Sequence, residues 1–152
     1  MVGSRVPRCP GFYRNPDISD LVLVYIGFVR PLLEYACVIW HPGLTRVLSS
    51  KVEGVQKRAL RIILGREYVT YDSALNTSGL CRLDCRRDNL CLRFARTLVN
   101  SERFSYWLPS RRGDTHDRSL RNKDKLSQFR CRTAHFANST LPYCVKLLNQ
   151  DG

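Results

Sequence analysis

Three pairs of soft ligands stand out by their spacing: Cys37 with His41, Cys81 with Cys85, and Cys131 with His135. Each pair is separated by one helical turn, so on a helix both side chains would share a face. Structural zinc sites use tighter cysteine pairs in loops, such as CxxC, and the chain contains none. The three pairs therefore read as core cysteines and not as a metal centre. Catalysis by a Cys–His pair needs an activated thiol, and no neighbour marks any cysteine as one. No P-loop, GxGxxG, HExxH or GxSxG occurs. The acidic residues form no DD, DxD or ExE cluster, so two-metal phosphoryl transfer lacks its usual ligands. The expectation is a chain with no catalytic residues, no metal and no cofactor.

The chemistry within reach is electrostatic. In 152 residues there are 25 Lys+Arg against 13 Asp+Glu, a formal charge of +12. Most of the cations are arginine, the side chain suited to bidentate phosphate contact. Such an excess points to a polyanion, nucleic acid before an acidic membrane. The candidate phosphate contacts are Lys57, Arg58 and Arg61 in one segment, Arg86, Arg93 and Arg96 in a second, and Arg130 and Arg132 in a third. A basic amphipathic helix can also lie on a membrane, but cations spread over three regions of a globule fit a surface field better. The stretch RFSYWLPSRR, 103–112, sets Phe104, Tyr106 and Trp107 beside Arg103, Arg111 and Arg112. Bases could stack there. Anchoring to the core is the favoured reading of these aromatics, because they bury large areas.

The elements that must carry these residues are helical. Asp17 or Ser19 caps an apolar run, DISDLVLVYIGFV, and Pro31 is expected to break or kink it. A second segment, PLLEYACVIW, would start on Pro31 and end at HPG, 41–43. Thr45 can cap a long helix to Leu64, with Gly65 as its stop. On a 3.6-residue period its apolar stripe is Leu48, Val52, Val55, Ala59 and Ile62, with Lys57 opposite. A short turn or helix, TYDSALNTSG, should follow and stop at Gly79. A further long helix, 83–99, places Leu83, Leu90, Phe94 and Leu98 on one face and Arg86, Arg93 and Arg96 on one side. Arg87 falls within its apolar stripe and, if buried, needs a partner; Glu34 or Asp84 is expected, ahead of a ligand phosphate. LPYCVKLLNQ reads as a last helix. No alternating run supports a sheet. The class is all-α, a small bundle of five to seven helices. Residues 1–16 form a loose arm, 17–108 the helical domain, 109–133 a basic flexible segment with eight cations and three anions, and 134–152 the C-terminal helix.

Length and an apolar fraction of 43% fit one globular domain. The seven cysteines are odd in number and scattered, and no signal peptide opens the chain, which predicts reduced thiols in an intracellular setting, nuclear or cytoplasmic. The longest uncharged run in 18–40 is nine residues, short of the roughly 20 that span a bilayer, so no membrane segment is expected.

Several blocks in a fixed order carry a resemblance. DLVLVYIGFVRPLLEYACVIWHPGLT, VEGVQKRALRIILG, NLCLRFAR and RCRTAHFANSTLPYCVKLLN resemble the C-terminal, thumb and post-thumb region of reverse transcriptases of non-LTR (LINE-type) retrotransposons, over roughly residues 17–150. That family is an RNA-directed DNA polymerase. The resemblance implies a thumb-like helical module that cradles RNA or an RNA–DNA hybrid by its backbone, with the catalytic aspartates in a palm upstream of these blocks. The chain departs from the family pattern in having no palm, endonuclease or zinc knuckle. Arg82 stands where a helix-capping serine is common, and His135 where a basic residue is usual. The first sixteen residues do not resemble the palm–thumb junction. These departures look like a fragment or decaying copy. An isolated thumb would also expose the face that meets the palm, so self-association is a further expectation. A helical protein-interaction module without a nucleic-acid role is the alternative, and a metalloenzyme using the Cys/His pairs the least supported one.

Overall fold

A computed structural model describes residues 16–115 and 121–151, so all but the last residue of the expected arm at 1–16 lies outside the described residues. The first helix runs without interruption from α1 (Ile18–Val24) through a π turn (Tyr25–Val29) into α2 (Arg30–Glu34). It is followed by α3 (Cys37–Trp40), α4 (Arg46–Leu64), α5 (Tyr71–Ser78), α6 (Leu83–Asn100), α7 (Ala134–Ala137) and α8 (Thr140–Asp151). Short 3-10 turns join several of these. Among the described residues there is no strand, only an isolated antiparallel bridge between Arg111 and Leu126. The protein is all-α, as its periodicity predicts.

The helix ends follow local chemistry. The Asp17 carboxylate accepts from the Ile18 N–H at 2.8 Å, and the Thr45 and Thr70 hydroxyls accept from Leu48 and Ser73 at 3.3 and 3.2 Å. Gly65 and Gly79 end α4 and α5 with φ of 51° and 64°, the left-handed region a Cβ disfavours. Pro31 sits in the first turn of α2 but does not break the helix. The ladder instead widens ahead of it: the Arg30 N–H reaches back five residues to the Tyr25 carbonyl. The true break falls at Tyr35–Ala36, inside the segment expected to be continuous, where Ala36 adopts φ 48°. Trp40 secures that bend, donating its indole N–H to the Tyr35 carbonyl at 2.7 Å.

Helix α6 is central and touches α3, α4 and α8. Leu83, Cys91, Ala95 and Leu98 are buried along it, against Cys37 of α3 and Cys144 and Val145 of α8. A second apolar cluster, Leu60, Leu64, Ala74 and Leu75, joins α4 to α5. Each fully buried leucine contributes roughly 1.5–3 kcal/mol.

The stripe expected to face the core from α4 is not the buried one. Glu53, Gln56, Leu60 and Leu64 are buried, whereas Leu48, Val55 and Ile62 are exposed, Ile62 at 72%. The helix is turned by about one residue because two polar side chains have partners inside. Gln56 accepts from the Tyr25 hydroxyl at 2.7 Å and donates to the Tyr71 hydroxyl at 2.8 Å and the Cys81 carbonyl at 3.0 Å. Glu53 accepts from the Leu83 N–H at 3.1 Å and from the Tyr71 hydroxyl. Arg82 cannot cap α6, and the Glu53 carboxylate does so from another helix, where the positive end of the helix dipole favours it.

Candidate nucleic-acid interface

The cations of α4 divide by what holds them. Lys57 places its Nζ 5.0 Å from the centre of the Tyr71 ring, and Arg61 places its guanidinium 5.3 Å from that of Tyr68. Arg82 lies 5.8 Å from Tyr71 and 3.6 Å from the Asp72 carboxylate. Tyr68 and Tyr71 follow the Gly65 stop, so the turn between α4 and α5 carries the rings back beside the cations. The result is a corner of three cations, Lys57, Arg61 and Arg82, held over two aromatic faces, with Arg58 exposed beside it on α4. Each such contact is worth about 0.5–1 kcal/mol at an exposed site, enough to bias the orientation of a long side chain without neutralising it. Sequence reading did not place Arg82 beside these cations. The signal was an aromatic pair one turn past a helix stop.

The α6 cations are placed differently. Arg86 makes an ion pair with Glu34 of α2, which also pairs with Arg30 at 3.7 Å. The pair raises the Arg86 pKa further above its ordinary value, chiefly through its hydrogen bond with the carboxylate. Its charge is thus shared with a carboxylate and less open to a phosphate. Arg93 and Arg96 are exposed on the same helix, and Arg130 and Arg132 are exposed between Phe129 and α7. The eight expected contacts therefore lie in three separate regions, and in the α4 set Lys57 and Arg61 stand over neighbouring rings.

Arg87 is fully buried, but Glu34 and Asp84 are not its partners. Glu34 is taken by Arg86, and Asp84 accepts from the Cys85 N–H and lies 3.9 Å from Arg82. Arg87 donates from Nε to His41 Nδ1 at 3.2 Å and from Nη2 to the Ser49 hydroxyl at 3.1 Å, with its guanidinium 5.7 Å from the Trp40 ring. Because arginine only donates, His41 Nδ1 must be the bare nitrogen. The proton therefore sits on Nε2, which donates to Asp88 at 2.8 Å. Asp88 also accepts from the Tyr143 hydroxyl of α8. Arg87 Nη1 has no partner among the described residues. This chain of polar groups joins α3, α4, α6 and α8.

The cysteines divide: Cys37, Cys91 and Cys144 lie in the core, whereas Cys81 and Cys85, also expected there, are exposed and Cys131 is half-buried. Cys37, Cys91 and Cys144 come from three helices and are buried together. Burial pushes the Cys91 thiol up to about 12 and the Cys144 thiol up to about 11. Such thiols stay protonated and weakly nucleophilic at neutral pH. Cys131 donates to the Phe129 carbonyl at 3.4 Å. Among the described residues no group of three or more His, Cys, Asp or Glu is arranged to hold a metal ion.

Backbone hydrogen bonds tie the described residues on either side of 116–120 to one another. The Arg112 N–H donates to the Lys125 carbonyl and the Gly113 N–H to that of Lys123, both at 2.9 Å. Asn149 of α8 clasps Leu126, accepting from its N–H at 2.9 Å and donating to its carbonyl at 3.0 Å. The aromatics expected to anchor the core do so only in part: Tyr106 is 75% exposed and Trp107 42%.

Among the described residues no single helix is long and apolar enough to cross a membrane; Ile18–Glu34 and Cys37–Gly43 reach that length and hydropathy only taken together, across a 42° bend. No family model, curated protein or solved structure matches the chain.

Proposed function

We propose that the chain is a thumb and post-thumb module of a non-LTR retrotransposon reverse transcriptase, a remnant with no active site of its own, which holds RNA or an RNA–DNA hybrid by its phosphates. The observation that supports this reading most is the α4–α5 corner. Lys57, Arg61 and Arg82 stand over Tyr68 and Tyr71 with Arg58 alongside, in a chain of net charge +12. Backbone contacts of this kind are tolerant of sequence and release counterions. Binding of a labelled RNA–DNA hybrid should therefore weaken steeply with salt. The K57A/R58A/R61A variant should bind more weakly and lower the slope of log K against log salt by about one for each phosphate no longer neutralised. No binding at low salt, or binding with no salt slope, overturns the proposal. Template-directed synthesis by this chain alone would overturn the absence of catalysis.

A protein-interaction module is the second reading, and a specific surface favours it. Phe28, Leu32, Tyr35 and Ile39 are exposed along the first helix and α3, at 74, 78, 80 and 72%. Exposed large apolar side chains of this sort favour association. Self-association in size-exclusion chromatography that RNA leaves unchanged supports this second reading over the first.

A further inference from the structure

The turn after α6 carries exposed aromatics that the core does not use. Phe104 and Trp107 lie 5.0 Å apart between ring centres, and Trp107 and Tyr106 6.1 Å apart at 82°. Arg103 covers Phe104 at 5.5 Å. The 3-10 turn Ser105–Trp107 holds the three rings as one knuckle, with Tyr106 outermost.

Beside the knuckle lies an open cavity of about 590 Å³, with Ser105 and Leu108 of this turn in its lining. That lies within the range of roughly 300–1,000 Å³ seen for small-ligand pockets. Val99, Leu108, Leu126 and Leu148 give it apolar wall, and Arg111 and Arg121 give it exposed guanidiniums. Asp114 and Asp124 also line it, but Lys125 adds a third cation, its ammonium donating to the Asn149 carbonyl at 2.9 Å. Among the described lining residues the cations outnumber the anions, and apolar wall adjoins them. A duplex backbone has no use for exposed rings or an apolar cavity. Unpaired bases do: every base has a face to stack, and its phosphate seeks a cation.

We infer that the Phe104–Tyr106–Trp107 knuckle and the cavity beside it form a site for single-stranded nucleic acid. Bases stack on Tyr106 and Trp107, one nucleotide enters the cavity, and the adjoining phosphates meet Arg103, Arg111 and Arg121. This rests on the nucleic-acid reading above and adds to it a separate place for an unpaired strand, away from the α4–α5 corner.

The test uses the full chain, a ten-nucleotide uridine strand and a ten-base-pair RNA–DNA hybrid. Trp40 and Trp107 are the two tryptophans, so the emission of wild type minus that of Trp107→Phe isolates Trp107. The single strand should quench Trp107. Tyr106→Ala should weaken single-strand affinity about tenfold, the equivalent of one base–aromatic stack of about 1.4 kcal/mol. It should leave hybrid affinity unchanged. R111A/R121A should make the salt slope for the single strand about 1.4 units shallower. Because Tyr106 is exposed, its variant should retain the wild-type far-UV spectrum. Hybrid binding with no Trp107 quenching by the single strand, or Tyr106→Ala without effect, overturns this inference alone. Failure of both nucleic acids to bind overturns the underlying reading as well.

Discussion

Arg87 is where the residue scale is most informative. Its place within an apolar stripe was visible in sequence, but its partners were not, because His41 and Ser49 come from other helices. Neither His41 nor Ser49 carries a formal charge in this arrangement, so the guanidinium is held by neutral acceptors and the Trp40 face. This fixes an ordering of variants. His41→Ala would leave a buried charge with an orphaned donor and is expected to cost about 3–5 kcal/mol. Arg87→Met removes the charge and leaves only neutral groups unpaired, for about 1–3 kcal/mol. Urea denaturation should rank His41→Ala as the more damaging change; the reverse ranking would mean that Arg87 is not buried against His41.

At the scale of elements, α4 and α6 are joined by polar groups that propensity alone would place in water. The capping of α6 by Glu53 explains why a helix that starts after Arg82 is stable there, and why α4 turns its Glu53–Gln56–Leu60–Leu64 face inward. Glu53→Ala removes a charge-assisted hydrogen bond to the Leu83 N–H and leaves the Tyr71 hydroxyl with one partner fewer. A loss of about 2–3 kcal/mol is expected, measured by urea denaturation. Hydrogen exchange should speed up first at the N-terminal amides of α6, because they lose their acceptor. Exchange that rises uniformly instead would argue against a local capping role.

The whole molecule has a core that three cysteines share. Their folded pKa values are raised by burial, so near pH 9 and above the unfolded chain has lost thiol protons that the folded chain keeps. Stability from this source is full below the ordinary thiol value of 9.0 and falls as pH rises from there toward about 12. The urea midpoint should therefore decline above pH 9, and Cys91→Ala should flatten that decline. A midpoint independent of pH between 8 and about 10.5 would remove the thiol cluster from the core. On the proposed nucleic-acid reading, affinity for a polyanion should depend on the α4 set, whose Lys57 and Arg61 stand over aromatic rings, more than on Arg93, Arg130 or Arg132.

Period and punctuation in the sequence determined the all-α class and the main helix limits. The caps at Asp17, Thr45 and Thr70 and the stops at Gly65 and Gly79 are local events, each settled within a few residues. The charge excess was likewise legible, since formal charge does not depend on folding. Tertiary structure decided which face of α4 is buried, because Glu53 and Gln56 can enter a core only when Leu83, Tyr25, Tyr71 and Cys81 arrive to satisfy them. It also decided that Arg86, and not Arg87, pairs with Glu34, and that Tyr106 faces solvent. Those outcomes depend on groups more than ten residues apart, and a periodicity read along one helix has no access to them.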